Sequence, residues 1–276
     1  MVVTKLQNTR TDLAMESMPD QTRPPEGVRC RESDDRGFHI SDLHIETQSA
    51  SDILCKPIGR YITVETERFF RRDENSFADG AEILAERIRE LLPLSKGAGV
   101  LVAGLGNRAI TPDAIGPEAV GMTLVTRHLI EQLPESFGSF RPVCAFETGV
   151  LGTTGIESAA LIRSLFSAAR PDAIVAVDAL AARSRDKLCR TVQLTDSGIV
   201  PGSGVGNARQ ELSARVFGVP VLAVGVPTVV DAGDGLIVTR RDIDKCVKDV
   251  GRLVGYALNL ALQEGLTLAD VDMLIG

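Results

Sequence analysis

Two aspartates occupy positions from which a pair of carboxylates could catalyse hydrolysis. Asp113 follows the apolar segment 99–106 (GVLVAGLG) at the predicted start of a helix, and Asp178 lies near the end of the segment 173–180 (AIVAVDAL). The carboxyl ends of neighbouring parallel strands meet at one edge of a sheet, where α/β proteins place their active sites. Two carboxylates of unequal pKa at that edge can activate a water molecule and protonate a leaving amine.

Each aspartate also has a structural interpretation. An acid at a helix N-terminus, such as Asp113, is stabilised by the helix dipole whether or not it is catalytic. Asp178 stands among valines and alanines, where a carboxyl group needs either a partner or a function. From position alone, Asp113 and Asp178 are therefore candidate catalytic residues, with a structural role as the alternative.

The residues that other hydrolases use are poorly placed in this chain. There is no G-x-S-x-G motif, and the five cysteines are widely separated without a C-x-x-C pair. Two histidines stand in the polar N-terminal region and the third in a predicted helix: His39, His44 and His128. We therefore expect neither a Ser-His or Cys-His mechanism nor a histidine-rich metal site, and we expect reduced cysteines that serve packing.

Two glycine-rich turns raise the alternative of a nucleotide site. The string GLGNRA (104–109) follows a predicted strand, as in dinucleotide-binding folds. However, Pro112 delays the next helix, and no acidic residue ends a second strand where it could hold a ribose. The string PGSGVGN (201–207) lacks the Lys-Ser/Thr ending of a P-loop. A Rossmann-like nucleotide-binding oxidoreductase therefore stays open as an alternative function.

The elements that must position these residues alternate between strands and helices. Five apolar segments are predicted strands: 99–106, 141–149, 173–180, 190–196 and 219–227. Helical patterns lie between them, so we predict an α/β fold, a three-layer sandwich with a mostly parallel sheet. We expect residues 60–70 to form an edge strand and the polar residues 1–55 to be a peripheral, partly mobile leader.

The composition limits the classes of partner. The chain has 276 residues, a net charge of −7 and no basic cluster, so we expect no nucleic-acid binding. No apolar run reaches membrane-spanning length, and the N-terminus lacks the apolar core of a secretory signal. We therefore expect no membrane partner and a cytoplasmic location.

Several long strings closely resemble one family of proteins. Around the two aspartates and the second glycine turn the chain reads GLGNRAITPDAIGP, DALAARS, DSGIVPGSGVGNARQELS and GVPVLAVGVPTVVDA. These strings resemble the germination proteases, the spore endopeptidases that begin the degradation of small acid-soluble spore proteins. The resemblance covers residues 61–232 and resumes at residue 238. Only GDGLI (233–237) stands where family members carry a long insertion.

The resemblance implies a hydrogenase-maturation-protease-like fold, a homotetramer in the spore core and an atypical aspartic-type mechanism. The two aspartates proposed as catalytic in the family match Asp113 and Asp178. No cofactor is implied, and the sequence leaves the participation of a metal ion open. A catalytically silent scaffold of the same fold is a further alternative, which would form the tetramer and cleave nothing.

The surroundings of the two aspartates suggest different roles. We expect Asp113, near a helix N-terminus, to be held ionised and to act as the base. We expect Asp178, at an apolar strand end, to be harder to ionise and to act as the acid. Backbone N–H groups of residues 148–155 or 202–206 are candidates to stabilise the oxyanion.

A short string in the leader has the order of the cleavage motif that the resemblance implies. Family substrates are cut in a motif close to Thr-Glu-(Phe or Ile)-Ala-Ser-Glu, after the first acid, and the family is made as a zymogen. Residues 11–16 (TDLAME) keep that order. We therefore predict cleavage between Asp12 and Leu13, with residues 1–12 as a pro-segment. Residues 13–276 would then form a single peptidase domain with a polar region at 13–55. In the alternative interpretation Thr11 caps a short helix that has Glu16 in its first turns.

Overall fold

The computed structural model describes residues 10–20, 23–71, 73–206, 209–233 and 236–275. Within these residues a sheet of nine strands runs through the middle of the molecule. In chain order the strands are β1 (Val28–Asp35), β2 (Phe38–Ile45), β3 (Gly59–Glu65), β4 (Val100–Leu105), β5 (Val143–Gly149), β6 (Ala173–Ala182), β7 (Thr191–Thr195), β8 (Val221–Gly233) and β9 (Leu236–Thr239).

Helices cover both faces of this sheet. In chain order they are α1 (Ala14–Ser17), α2 (Gln48–Leu54), α3 (Glu67–Arg71), α4 (Ser76–Leu91), α5 (Ile115–Gly121), α6 (Arg127–Gln132), α7 (Pro134–Phe137), α8 (Leu151–Thr154), α9 (Ser158–Ala169), α10 (Ala214–Phe217), α11 (Ile243–Leu262) and α12 (Leu268–Ile275). Val100 and Val102 of β4 pack with α4 and α11 on one face, and Leu101 and Ala103 pack with α9 on the other. The predicted three-layer α/β fold is therefore confirmed.

Parallel pairing belongs to one part of the described sheet. The strands β5, β4, β6 and β8 lie side by side and are parallel. Beyond β8 the sheet continues through β7, β3, β2 and β1 as an antiparallel group, and β9 forms a hairpin with β8. The sheet as a whole is mixed, and the sequence predicted its parallel part.

The segment at residues 60–70 does not form an edge strand, so that prediction is wrong. β3 pairs with β2 on one side and with β7 on the other. The polar region 1–55, which composition indicated as a peripheral leader, contains the hairpin of β1 and β2. This hairpin pairs with β3, so β1 and not β3 is the edge strand. In β2 the side chains of Leu43 and Ile45 are buried. Successive residues of a strand point to opposite faces, so the polar residues between them point away from that core. The polar region therefore contributes part of the core.

Two glycines allow α5 to lie directly against the sheet. A Cβ at Gly116 would lie 2.3 Å from the carbonyl oxygen of Leu105 on β4 and 2.6 Å from that of Val177 on β6. A Cβ at Gly104 would lie 2.4 Å from the carbonyl oxygen of Gly116. This close approach fixes the turn before α5, and that turn carries Asp113.

The substitution Gly116→Ala is expected to lower the free energy of unfolding by about 3 kcal/mol, because the strand backbones it meets cannot move aside cheaply. Gly152→Ala is the matched control, because a Cβ there would meet nothing within 4 Å. We expect that control to change stability by less than about 0.5 kcal/mol. Urea denaturation measures both, and equal stability of the two variants would contradict the packing described.

Candidate active site

Asp178 and Gln193 stand on either side of a glycine on one face of the sheet. Asp178 on β6 and Gln193 on β7 both pair with Gly225 of β8. Residues paired across adjacent strands project from the same face, and the strands are about 4.8 Å apart, so the two backbones are roughly 10 Å apart. A Cβ at Gly225 would lie 2.3 Å from the Leu180 side chain. The side chain of Leu180 therefore lies over Gly225, in the strip of sheet between the carboxyl and the amide.

The carboxyl group of Asp178 is held in conditions that favour its neutral form. Its side chain is only 5% exposed, and burial is the main reason that its pKa is raised well above the ordinary value. The negative charges of Asp113 and Asp12 raise the pKa further. One hydrogen bond opposes them, since the N–H of Ala179 donates to Oδ1 at 2.9 Å. Asp178 thus has the character of a buried acid.

Asp113 ends a 3₁₀ turn, Thr111–Asp113, at the carboxyl edge of the sheet. Its Oδ2 accepts the N–H of Asn107 at 2.9 Å, which favours the ionised form, but half-burial dominates and raises the pKa of Asp113. The helix α5 begins only at Ile115, so Asp113 lies just outside it, and burial has the largest effect on its pKa. Since the charge of Asp113 raises the pKa of Asp178, the structure brings the two predicted carboxylates within electrostatic range.

The first glycine-rich turn serves to hold Asp113. Gly106 has a φ of +109°, and a Cβ there would lie 2.0 Å from the carbonyl oxygen of Asp113. The N–H of Asn107 points to the oxygens of Asp113, at 3.1 Å for the backbone and 2.9 Å for the side chain. The turn that resembles a pyrophosphate site is therefore filled by an aspartate of the same chain.

A cavity of about 670 Å³ opens beside Asp178. Ser203 and Lys56 are among the residues that line it, and so are leader residues 10–12. Asp113 does not line it. Of the predicted pair, Asp178 faces the space where a substrate would lie, and Asp113 acts on Asp178 from outside the wall.

The leader binds across this cavity through Asp12. The N–H of Asp12 donates to the carbonyl oxygen of Ala181 at 2.8 Å, and the N–H of Ala181 donates to Oδ2 of Asp12 at 2.8 Å. The Ser203 hydroxyl donates to Oδ1 at 2.8 Å. A Cβ at Gly204 would lie 2.0 Å from Oδ2. The second glycine-rich turn therefore forms a pocket that accepts an acidic side chain.

The next two leader residues are buried. Leu13 is 2% exposed and packs against a cluster from β6, β8 and the segment between β6 and β7: Leu180, Ala182, Leu188 and Val230. Ala14 is fully buried, and its N–H donates to Oε1 of Gln193 at 2.7 Å. The other end of the same amide, Nε2, donates to the carbonyl oxygen of Asp12 at 3.2 Å. A large apolar residue and then a small one fit these positions.

The second acid of the leader motif is also recognised by backbone groups. The Glu16 carboxylate accepts the N–H groups of Arg183 at 2.6 Å and of Ser184 at 2.8 Å. The Arg183 guanidinium donates to the Glu16 carbonyl oxygen at 2.8 Å. Within the leader, the Thr11 hydroxyl contacts Glu16 and accepts the N–H of Leu13 at 3.1 Å. The short helix of the alternative interpretation, α1, therefore exists with Glu16 in its first turn, but its N-cap is Leu13, so Thr11 does not cap it.

Lys56 contacts the leader on the other side of Asp12. Its Nζ donates to the carbonyl oxygen of Thr11 at 2.8 Å. Burial lowers the pKa of Lys56, and the charge of Asp12 partly opposes this effect. Lys56, Ala181 and Gln193 thus bind four backbone groups of the leader: the carbonyl of Thr11, the N–H and the carbonyl of Asp12, and the N–H of Ala14.

The sequence did not single out Gln193, Ser203 or Lys56. Gln193 gave a signal, because it is a polar residue between Val192 and Leu194 in a buried strand. Ser203 stood in a glycine string that suggested a turn, and Lys56 gave none. Among the described residues, no group of three or more His, Cys, Asp or Glu side chains is arranged to hold a metal ion.

The comparisons with known proteins agree on one family. The family model described as germination protease matches residues 7–234. A germination protease of Caldanaerobacter subterraneus is 36% identical over 316 aligned positions, which cover 96% of this chain and 98% of that protein. A germination protease of Priestia megaterium is 42% identical over 94% of this chain and 71% of its own length.

The alignment also bears on the short segment after β8. The 316 aligned positions exceed the 276 residues of this chain, so the Caldanaerobacter relative carries residues that this chain lacks. The gap in the resemblance falls at the hairpin of β8 and β9, where Val230 pairs with Val238.

Among solved structures, the [NiFe] hydrogenase maturation protease HycI of Thermococcus kodakarensis is 17% identical, with a TM-score of 0.38 over 64% of this chain and 98% of its own. In the part of the chain that the structure describes, no helix is both long and apolar enough to span a bilayer.

Proposed function

The chain belongs to the germination protease family, and from this premise we propose that it is an endopeptidase that begins the degradation of small acid-soluble spore proteins. One observation carries the proposal. A leader segment with the order acid, Leu, Ala, any residue, acid lies across the cavity beside Asp178, and both of its acids are bound by backbone N–H groups. A cavity that recognises this order recognises extended peptides that carry it.

We assign the chemistry to Asp178 and Asp113 as a coupled pair. Asp178 faces the peptide and has the more strongly raised pKa, so it supplies the proton to the leaving amine. Asp113 is the better candidate for the ionised partner, so that the pair as a whole can take up a proton from the attacking water. The two carboxyl groups titrate together, since the charge of one raises the pKa of the other.

We also propose that the chain is a zymogen that processes itself between Asp12 and Leu13. Residues 10–12 occupy the cavity that a substrate would need, which supports inhibition by residues 1–12. Of this pro-segment, residues 1–9 lie outside the described part of the chain. A homotetramer in the cytoplasm of the spore core, with no cofactor, completes the proposal on the strength of the family resemblance.

The direct test is to incubate the purified protein with a small acid-soluble spore protein and to map the cuts by mass spectrometry. We expect cuts after an acid that precedes a large apolar residue and alanine. Cuts scattered without regard to this order, or no cut by protein that has lost residues 1–12, would overturn the proposal. Size-exclusion chromatography with light scattering tests the tetramer separately.

Thiol alkylators and serine-directed phosphonates are expected to leave at least about half of the activity, because neither a thiol nor a hydroxyl is the nucleophile. Burial raises the pKa of Cys189 to about 12, so it is unreactive at neutral pH. Ser203 lines the cavity, but its hydroxyl donates to Asp12 and not to a base. Complete inactivation traced to one labelled cysteine or serine would contradict the aspartic-type assignment.

A further inference from the structure

Gln193 contacts the peptide on both sides of the bond between Asp12 and Leu13. Its Nε2 donates to the carbonyl oxygen of Asp12 at 3.2 Å, and its Oε1 accepts the N–H of Ala14 at 2.7 Å. That carbonyl belongs to the bond that the proposed processing would cut. Gln193 is only 5% exposed and stands on a strand, so its amide is fixed in direction.

We infer that Gln193 is a third catalytic residue, which polarises the scissile carbonyl and stabilises the oxyanion; the inference rests on the proposed function. The backbone groups expected from the sequence do not contact this oxygen in the described structure. The glycine-rich turn uses the Ser203 hydroxyl to bind the Asp12 side chain instead. Gln193 is the residue that donates a hydrogen bond to the carbonyl oxygen of Asp12 in the described structure.

The position of Gln193 in the sheet fits this role. Asp178 and Gln193 both pair with Gly225, so the carboxyl group and the amide stand on opposite sides of Gly225 and line the same cavity. The Ala14 N–H holds Oε1 and thereby turns Nε2 towards the carbonyl oxygen. A donor fixed in this way needs no reorganisation when negative charge develops, which is the property of an oxyanion hole.

The reaction balances with these groups and one water molecule. The water oxygen bonds to the carbonyl carbon of Asp12, one of its protons passes to the coupled carboxylate pair of Asp178 and Asp113, and the π electron pair moves to the carbonyl oxygen. Nε2 of Gln193 donates to that oxyanion. The oxyanion's electron pair then re-forms the carbonyl as the carbon–nitrogen bond breaks, the electron pair of that bond stays on the Leu13 nitrogen, and that nitrogen takes the proton of Asp178. The hydrogen bond to the oxyanion is charge-assisted and therefore stronger than the one to the neutral carbonyl.

The test uses the full chain and follows the release of residues 1–12 by mass spectrometry after cell-free synthesis. Gln193→Met keeps the side-chain volume and removes both hydrogen bonds, and we expect a rate about 10²–10³-fold lower. Thr191→Val is the matched control on the same strand and face, because the hydroxyl of Thr191 has no partner among the described residues. We expect the control to match the wild-type rate, and thermal unfolding checks the fold of each variant.

A second variant separates catalysis from simple positioning. Glu at position 193 still accepts the Ala14 N–H when ionised but cannot donate to the carbonyl of Asp12. Gln193→Glu is therefore expected to be as slow as Gln193→Met near neutral pH. When the pH is lowered the new carboxyl group gains an O–H donor, so its rate relative to wild type should rise at least about 10-fold. Other charged side chains line the same cavity, and the wild-type profile measured in parallel corrects for pH effects that do not arise at position 193: Arg10, Asp12, Lys56, Asp178, Arg183 and Glu211.

The outcomes distinguish this inference from the function on which it rests. If wild type releases residues 1–12 and Gln193→Met does so within about 3-fold of its rate, the inference alone is wrong. Wild-type speed in Gln193→Glu at neutral pH would make Gln193 a positioning residue that acts only on Ala14. If Gln193→Met fails to fold, the pH profile of Gln193→Glu decides. If wild type never cuts after Asp12, neither in itself nor in a small acid-soluble spore protein, the proposed function and the inference fall together.

Discussion

Replacing Asp178 by asparagine is expected to slow peptide hydrolysis at least about 10³-fold, because an amide cannot give a proton to the leaving amine and take one back. The same loss is expected for Asp113→Asn, since the two carboxyl groups act as a pair. The measurement is the rate of release of residues 1–12 from the full chain, together with the cleavage of a small acid-soluble spore protein.

A nearby exposed aspartate provides the control for this loss. Asp186 follows Asp178 by eight residues, in an exposed 3₁₀ turn, and Asp186→Asn should keep the wild-type rate. If Asp178→Asn or Asp113→Asn cleaved at a near-normal rate with an unchanged circular dichroism spectrum, the carboxylate pair would be wrong. Loss of activity in Asp186→Asn would mean that the assay responds to net charge rather than to the site.

The stability of Asp178→Asn gives independent evidence on the same carboxyl group. Because burial raises the pKa of Asp178 above its ordinary 3.8, the folded chain binds this proton more tightly than the unfolded chain. The stability that it contributes is complete below the unfolded-state pKa and is lost as the pH rises through the raised folded-state pKa. The asparagine does not titrate. The variant should therefore be more stable than wild type at neutral pH, and this difference should shrink as the pH falls towards about 4.

The part of the fold that the sequence predicted is the part in which both faces of a strand are buried. β4 and β6 are apolar on every side, so their sequences are nearly continuous runs of Val, Leu, Ile and Ala. The strand ends then place Asp113 and Asp178 near one edge of the sheet. This inference needs only the direction of parallel strands, and no knowledge of how the chain folds elsewhere.

Of the antiparallel group, the sequence predicted strands at β3 and β7 and missed the hairpin of β1 and β2, which lies in the polar N-terminal region. β1 reads VRCRESDD and is mostly exposed, so composition alone indicates a loop. The sequence feature that could have indicated the hairpin is the pair Arg36-Gly37 between the two segments. In the structure these residues form a two-residue hairpin turn, and both adopt positive φ, at 46° and 77°. The role of Gln193 could not be predicted, because it depends on the antiparallel pairing of β7 with β8 on one side and with β3 on the other, which the direction of parallel strands does not give.

The substitution Asp12→Lys is expected to block processing by at least about 100-fold. The pocket for this side chain consists of the N–H of Ala181, the Ser203 hydroxyl and the backbone of Gly204, all of which suit an anion. A lysine would bring a positive charge and a longer side chain to the N–H of Ala181, which cannot accept a hydrogen bond from it, and a single lost charge-assisted bond already weakens binding by about 1.5–3 kcal/mol. N-terminal sequencing should find a chain that begins before Leu13, whereas processed wild type should begin at Leu13.

Asp12→Asn is the conservative comparison, because it keeps an oxygen for the N–H of Ala181, and we expect an intermediate rate. Processing of Asp12→Lys after residue 12 at the wild-type rate would show that the pocket does not select the acid.

The burial of Leu13 and Ala14, the two residues after the cut, has a further consequence. Leu13 and Ala14 are 2% and 0% exposed; Leu13 packs against Leu180 and Ala182 of β6, and the N–H of Ala14 donates to Gln193, so the cut alone does not clear the site. The new N-terminus at Leu13 must leave its apolar pocket before another chain can bind there. Activity towards other proteins should therefore appear after the release of residues 1–12, with a delay that shortens when Leu13→Ala weakens the packing.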